Sequence, residues 1–294
     1  MKKQEWFGFT EDKVFGWVME DKEFCKYILQ IILPEIKIKR IDWLEKQKEL
    51  NDYHRDQKDV RLDILVEDED HRLYDVEMQV SNKHDLGARM RYYLSKMDSE
   101  YSLGKGKTYH DLKEAYIIFL CPFDPEGEGL LKYSAHTYLD QNRAKRLNDG
   151  SHKVIINSKG SFKGISTDLQ GLARLMNNEP VKLNKHFDYA QSKIREINDD
   201  PEKRSIIMEY ETKMLERERD AEEIGMQKGM QEGMKEGMQE GMRQGVTKGT
   251  IETVKKDIKS YRKFGIPDDQ ILEELITNFS DIISVVKLKQ LMKD

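Results

Sequence analysis

Three residues within Val60–Val80, VRLDILVEDEDHRLYDVEMQV, have the types and spacing for metal-assisted chemistry. Asp63 is followed after thirteen intervening residues by Glu77, and Gln79 lies two positions beyond. Two apolar runs around a short acidic turn read as the strands of a hairpin. On adjacent strands, Asp63 and Glu77 would supply the one or two carboxylates that magnesium takes beside waters and substrate oxygens. A cation held there neutralises a phosphate and lowers the pKa of an attacking water, as phosphodiester hydrolysis requires. The Met78 carbonyl, next to Glu77, is a candidate third oxygen. Gln79 projects to the same face as Glu77, where its amide could hold the nucleophilic water or a phosphate oxygen. It cannot act as a general base near neutral pH. Taken alone, the spacing has a more ordinary reading: a solvated strand face on which Asp, Glu and Gln are common.

The elements that must position these residues follow from periodicity. In the second strand, period two puts Tyr74, Val76, Met78 and Val80 on one face and Leu73, Asp75, Glu77 and Gln79 on the other. In the first, Leu62, Ile64 and Val66 oppose Asp63 and Leu65. Such a sheet would pack its apolar face on a helix and present its carboxylates to a cleft. Upstream, helical spacing predicts one helix over Asp12–Leu33, capped by Thr10 and ended by Pro34. A strand over Ile36–Leu44 and a polar loop or strand edge over Lys46–Asp59 follow.

Downstream, His84–Tyr101 reads as a helix with Leu86, Met90, Tyr93, Leu94 and Met97 inward. Its Arg89, Arg91 and Lys96 bring positive charge close after the acidic hairpin. Glu114–Asp124 reads as a buried strand, Tyr133–Leu139 and Lys153–Asn157 as shorter ones, and Thr167–Met176 as a helix. Alternating strands and helices give an α/β class.

The composition bounds the rest. The chain has 294 residues, 37% hydrophobic and 36% charged, with a net charge of −5. That excludes a surface coated with nonspecific DNA-binding charge but not a local basic groove. No run reaches the roughly 18 apolar residues of a membrane span, and no apolar signal core is seen, so the expected compartment is the cytoplasm. Two cysteines, Cys25 and Cys121, are too few for a metal cluster and read as core fillers.

From Asn184 onward the character changes to charged and helical, with Pro201 a candidate break. Glycines then recur at every fourth position from Gly225 to Gly249, five of them followed by methionine. In an α-helix the seven glycines cost roughly 6 kcal/mol against alanine. Close approach of two helices along the glycine seam could offset this; a low-complexity spacer is the competing reading. Two or three short helices complete the chain. The expected organisation is a catalytic-type domain over 1–183, a charged helical extension over 184–224, the repeat over 225–250 and a helical segment over 251–294.

Several blocks, in order, carry a family resemblance: DKVFGWVM at Asp12, VRLDILVEDED, YDVEMQ, ARMRYYLSKMD from Ala88, GKTYHDLKEAYIIFLCPFD from Gly106 and INSKG at Ile156. Over residues 10 to about 180 the chain resembles the Rpn-type recombination-promoting nucleases of bacteria, also called PD-(D/E)XK nuclease family transposases. The resemblance implies a restriction-endonuclease-like core, a mixed central sheet flanked by helices, with a helical C-terminal extension. It implies a magnesium-dependent DNA endonuclease in recombination, mobile-element or defence contexts, manganese being the expected substitute metal.

By that resemblance Asp63 and Glu77 are the metal-binding acids, and Gln79 stands where the wider superfamily has lysine. Asp12 is an additional acid that could bind a second metal or orient water, against a competing role as a helix N-terminal acid. Arg89 and Arg91 are candidate phosphate contacts, against a helix whose tyrosines pack in the core while its arginines are solvated. DNA is the expected partner, with a homo-oligomer formed through the repeat. The alternative function is a non-catalytic DNA-binding or oligomerising protein that retains the nuclease fold.

Overall fold

The computed structural model describes residues 6–50, 60–102 and 106–293. The chain divides into two compact units, Met1–Met208 and Glu209–Asp294. The first is built on a mixed six-stranded sheet. Its strands are β1 (Ile41–Leu50), β2 (Val60–Asp68), β3 (Leu73–Met78), β4 (Ala115–Cys121), β5 (Lys132–Ala135) and β8 (Ser151–Asn157), in the order β1-β2-β3-β4-β8-β5. The β1–β2–β3 portion is antiparallel, β3–β4–β8 is parallel and β5 returns antiparallel on β8. A separate ribbon pairs β6 (Tyr138–Leu139) with β7 (Asn142–Arg146). β7 escaped the sequence reading because all five of its side chains are exposed and polar or small.

Both faces of the sheet are covered. On one, Ile64, Val66, Tyr74, Val76, Ile118, Leu120 and Ile156 pack in a core with α1 (Asp12–Met19), α2 (Lys22–Ile32), α4 (Thr167–Met176) and α5 (Lys185–Asp199). On the other, Leu65, Leu73, Ile117, Phe119 and Cys121 meet Met90, Leu94 and Met97 of α3 (Leu86–Met97). The expected alternation along β3 holds, but its second face is buried beneath α3 rather than open. In β2, Leu62 packs with Leu65, not with Ile64 and Val66 as the alternation suggested. Cys25 and Cys121 are buried free thiols.

Local chemistry explains the departures near the N-terminus. The expected helix Asp12–Leu33 is two helices, because the carboxylate of Asp21 accepts from the Phe24 N–H at 2.8 Å and caps a fresh start in extended backbone. The N-cap of α1 is Glu11, whose side chain makes no capping bond, and not Thr10. The strand expected from Ile36 begins at Ile41. Before it, the N–H groups of Lys39 and Arg40 donate to the Glu69 carboxylate at 2.8 and 3.1 Å, and the Gln30 amide takes Ile36 O and Ile38 N. Those backbone groups are thus satisfied outside any ladder.

The β2–β3 turn is fastened by buried Asp68. It accepts from the N–H groups of Asp70 and Arg72, from Arg72 Nε and from the Tyr74 hydroxyl.

Phe187, Ala190, Ile194 and Ile197 of α5 and Ile207 enter the core, so the first unit extends past the boundary expected at 183. Pro201 opens α6 (Pro201–Lys263), where a missing N–H costs nothing. This helix runs through all seven repeat glycines, and a Cβ added at any of them would meet nothing within 4 Å. The repeat methionines are exposed, from 64% at Met242 to 70% at Met226. In the second unit, Val254 and Ile258 of α6 pack with Ile271 and Leu275 of α7 (Asp268–Phe279) and Leu288 and Leu291 of α8 (Val285–Leu291). Among the described residues no helix is long and apolar enough to cross a membrane.

Candidate metal-binding site

The β2–β3 ladder runs from Glu67↔Leu73 to Ile64↔Val76. One step beyond, where Asp63 faces Glu77, side chains replace the main-chain pairing. The Asp63 N–H donates to Glu77 Oε1 at 2.8 Å, and the Met78 N–H donates to Asp63 Oδ2 at 3.0 Å. Each acid therefore holds the other's strand, and the two carboxyls are pinned at the strand end. The remaining oxygens of the pair are Asp63 Oδ1 and Glu77 Oε2, the latter 3.6 Å from Arg89 Nη2.

Glu77, Gln79 and Asp75 are buried at 3%, 8% and 0% exposure, which rules out the reading of a solvated strand face. Burial is also the main electrostatic fact. It pushes the Asp63 carboxyl up to about 6, aided by repulsion from Asp12 and opposed by the Met78 N–H, Arg61 and Arg89. Burial and then the charges of Asp75 and Asp63 push Glu77 well above the usual carboxylate range. Burial, then Asp63, do the same to Asp75. Neither oxygen of Asp75 has a hydrogen-bonding partner among the described residues. Asp75 shares the strand face of Glu77, and the sequence alternation showed that, but nothing in its spacing marked it out.

Arg89, from α3, closes the group. It donates to Gln79 Oε1 and, at 3.0 Å, to the Tyr93 hydroxyl, and its guanidinium lies 5.1 Å from the Phe119 ring centroid. Gln79 Nε2 donates to the Ser81 carbonyl. Both ends of the Gln79 amide are thus engaged. Arg91, by contrast, is exposed and is not brought to the acid pair. Asp12 begins α1, its Oδ2 2.8 Å from Arg61 Nη2 and its Oδ1 3.0 Å from Gln47 Nε2. Its repulsion of Asp63 places it in the same electrostatic neighbourhood.

A divalent cation fits these residues. Buried Glu77 and Asp75 and half-buried Asp63 crowd beside Arg89, two of them are clamped side by side, and one has orphaned oxygens, an arrangement that favours added positive charge. Among the described residues no three His, Cys, Asp or Glu side chains are placed to hold an ion together. A cation held here would have two carboxylate ligands at most from these acids and would need water or substrate oxygens to complete its shell, a set that magnesium accepts.

A six-stranded mixed sheet covered by helices on both faces, with an acid pair at the end of its central hairpin, is a PD-(D/E)XK α/β fold. Residues 7–224 match the family described as PD-(D/E)XK nuclease family transposase, and the chain belongs to it. The resemblance read from the sequence blocks is borne out. No curated protein and no solved structure matches the chain.

Proposed function

We propose that this protein is a magnesium-dependent DNA endonuclease acting by phosphodiester hydrolysis. The observation that carries the reading is the reciprocal clamp of half-buried Asp63 with buried Glu77, next to buried Asp75, in a chain of a nuclease family. When bound, the cation supplies charge neutralisation of the phosphate and a lowered pKa for water. Asp63 and Glu77 hold it, their geometry preset by backbone N–H groups rather than by mobile rotamers. Gln79 takes no proton; its Oε1 holds the Arg89 guanidinium beside the acids. Arg89 balances the acids and would offer its guanidinium to a phosphate bound beside them. DNA is the substrate, and the exposed glycine–methionine face of α6 joins copies of the chain.

Cleavage of supercoiled and linear duplex DNA in magnesium or manganese tests this, with Asp63→Ala and Glu77→Ala beside wild type. Loss of cutting in both variants is expected; variants that cut like wild type would remove the assignment. Gln79, whose amide is already engaged on both sides, favours one further reading, a DNA-binding protein without turnover. Duplex binding without cleavage or metal uptake would select it.

A further inference from the structure

The strand neighbour of Asp63 on the side away from Glu77 is β1, and there the backbone is distorted. The pairs Lys46↔Ile64 and Lys48↔Leu62 bracket Gln47, which stands opposite Asp63 without a ladder pair of its own. Gln47 has φ 51, a left-handed conformation in which a non-glycine residue inside a strand is strained. Its amide is used at both ends: Oε1 accepts from Lys13 Nζ at 2.9 Å, and Nε2 donates to Asp12 Oδ1 at 3.0 Å. Asp12 is anchored in turn by Arg61, two residues before Asp63 on β2. The distortion therefore fixes a half-buried ammonium, carried on α1, at the strand position opposite the first acid of the pair. Burial lowers the pKa of Lys13, Asp12 opposes it, Arg61 and Lys46 add to the fall, and Asp63 opposes it least, so the amine and the Asp63 carboxylate share one electrostatic neighbourhood.

We propose that Lys13 is a catalytic cation of this site, contacting the phosphate at Asp63, and that Gln47 is the positioning residue that holds it. The inference rests on the nuclease reading. It accounts for two facts at once. Position 79, two residues beyond Glu77, carries a neutral glutamine whose amide is held by Arg89 and the Ser81 carbonyl, so β3 itself brings no positive charge to the phosphate, and Arg89 stands on the Glu77 side of the pair rather than the Asp63–β1 side. The left-handed residue lies at the β1 position facing Asp63. An ammonium supplied there is a point charge that neutralises a phosphate oxygen without requiring planar geometry.

The test compares Lys13→Gln, Lys13→Arg, Gln47→Gly and Asp63→Ala in the full chain. Three readouts are taken: plasmid cleavage in magnesium, manganese affinity by calorimetry, and thermal unfolding. Lys13→Gln is expected to lower kcat at least 100-fold with manganese affinity within twofold of wild type, and Lys13→Arg to recover part of the rate. Gln47→Gly relieves the left-handed backbone, so its unfolding temperature should hold or rise while cleavage falls about tenfold. A merely structural glutamine would show unchanged cleavage in this variant. Full cleavage by Lys13→Gln, with Asp63→Ala inactive, overturns the inference and leaves the nuclease reading standing. Full cleavage by Asp63→Ala, or none by wild type, overturns both.

Discussion

Raising the pH from about 4 to 7 without divalent cations should destabilise the first unit, and Asp63 sets a calculable part of the loss. Its carboxyl titrates at about 6 in the folded chain, against an ordinary value of 3.8. The folded state thus holds this proton more tightly than the unfolded state. The corresponding stability is fully present below 3.8 and is lost as the pH climbs through about 6. The difference is worth roughly 3 kcal/mol. Glu77 and Asp75 are displaced in the same direction and steepen the decline. Asp63→Asn keeps an oxygen for the Met78 N–H but cannot ionise, so its stability should fall by about 3 kcal/mol less over the same range.

Magnesium reverses the trend, because it requires the ionised carboxylates: at 100 times its Kd it adds about 2.7 kcal/mol, and its effect should grow as the pH passes 6. Urea unfolding at stepped pH, in chelator and in magnesium, measures all of this. The three tryptophans, Trp6, Trp17 and Trp43, lie in the first unit and report on it specifically. Parallel stability–pH curves for wild type and Asp63→Asn would refute the electrostatic account of the site.

Other perturbations follow from the same structure. Asp75→Val replaces an unpartnered buried carboxyl by a β-branched side chain among Leu73, Ile117 and Phe119, and should stabilise the metal-free protein by about 1–3 kcal/mol in chemical denaturation. Asp21→Ala removes the cap that starts α2 and should cost about 1 kcal/mol, read as a lowered urea midpoint at unchanged slope. Alanine at Gly233, Gly237 and Gly241 should raise the helicity of α6 by circular dichroism, each exchange being worth about 0.8–1 kcal/mol in a helix. If the repeat joins copies by close backbone approach, the same variant should dissociate more readily in sedimentation; unchanged association would remove the seam's proposed role.

Much of the sheet was readable because its strands carry strong patterns. β4 is a continuous buried run, and β3 alternates between two cores, so both emerge from hydrophobic period alone. β1 was read with shifted bounds, as a strand over Ile36–Leu44, because Glu45, Lys46, Gln47 and Lys48 give its second half no apolar signature and its start is set by the distant carboxylate of Glu69. The acid pair was legible as a spacing, since a tight turn forces Asp63 and Glu77 onto facing positions. Its burial was not, because α3 covers that face through tertiary packing that no local pattern encodes. Lys13 and Gln47 were equally silent: one reads as an ordinary helix charge, and the other's left-handed backbone has no glycine to announce it.

The turn fastened by Asp68 has a kinetic corollary. Hairpin partners such as Glu67 and Leu73 lie six positions apart, whereas the parallel register joins Leu73 to Ala115 across more than forty. Hairpins form in microseconds, and long-range parallel pairings come later because their closure entropy must first be overcome. The acids therefore meet while water still surrounds them, and they are desolvated only when β4 and α3 dock. Like-charge repulsion falls on that last step, so a divalent cation in the refolding medium acts on the docking of the crossover and not on the zipping of the hairpin.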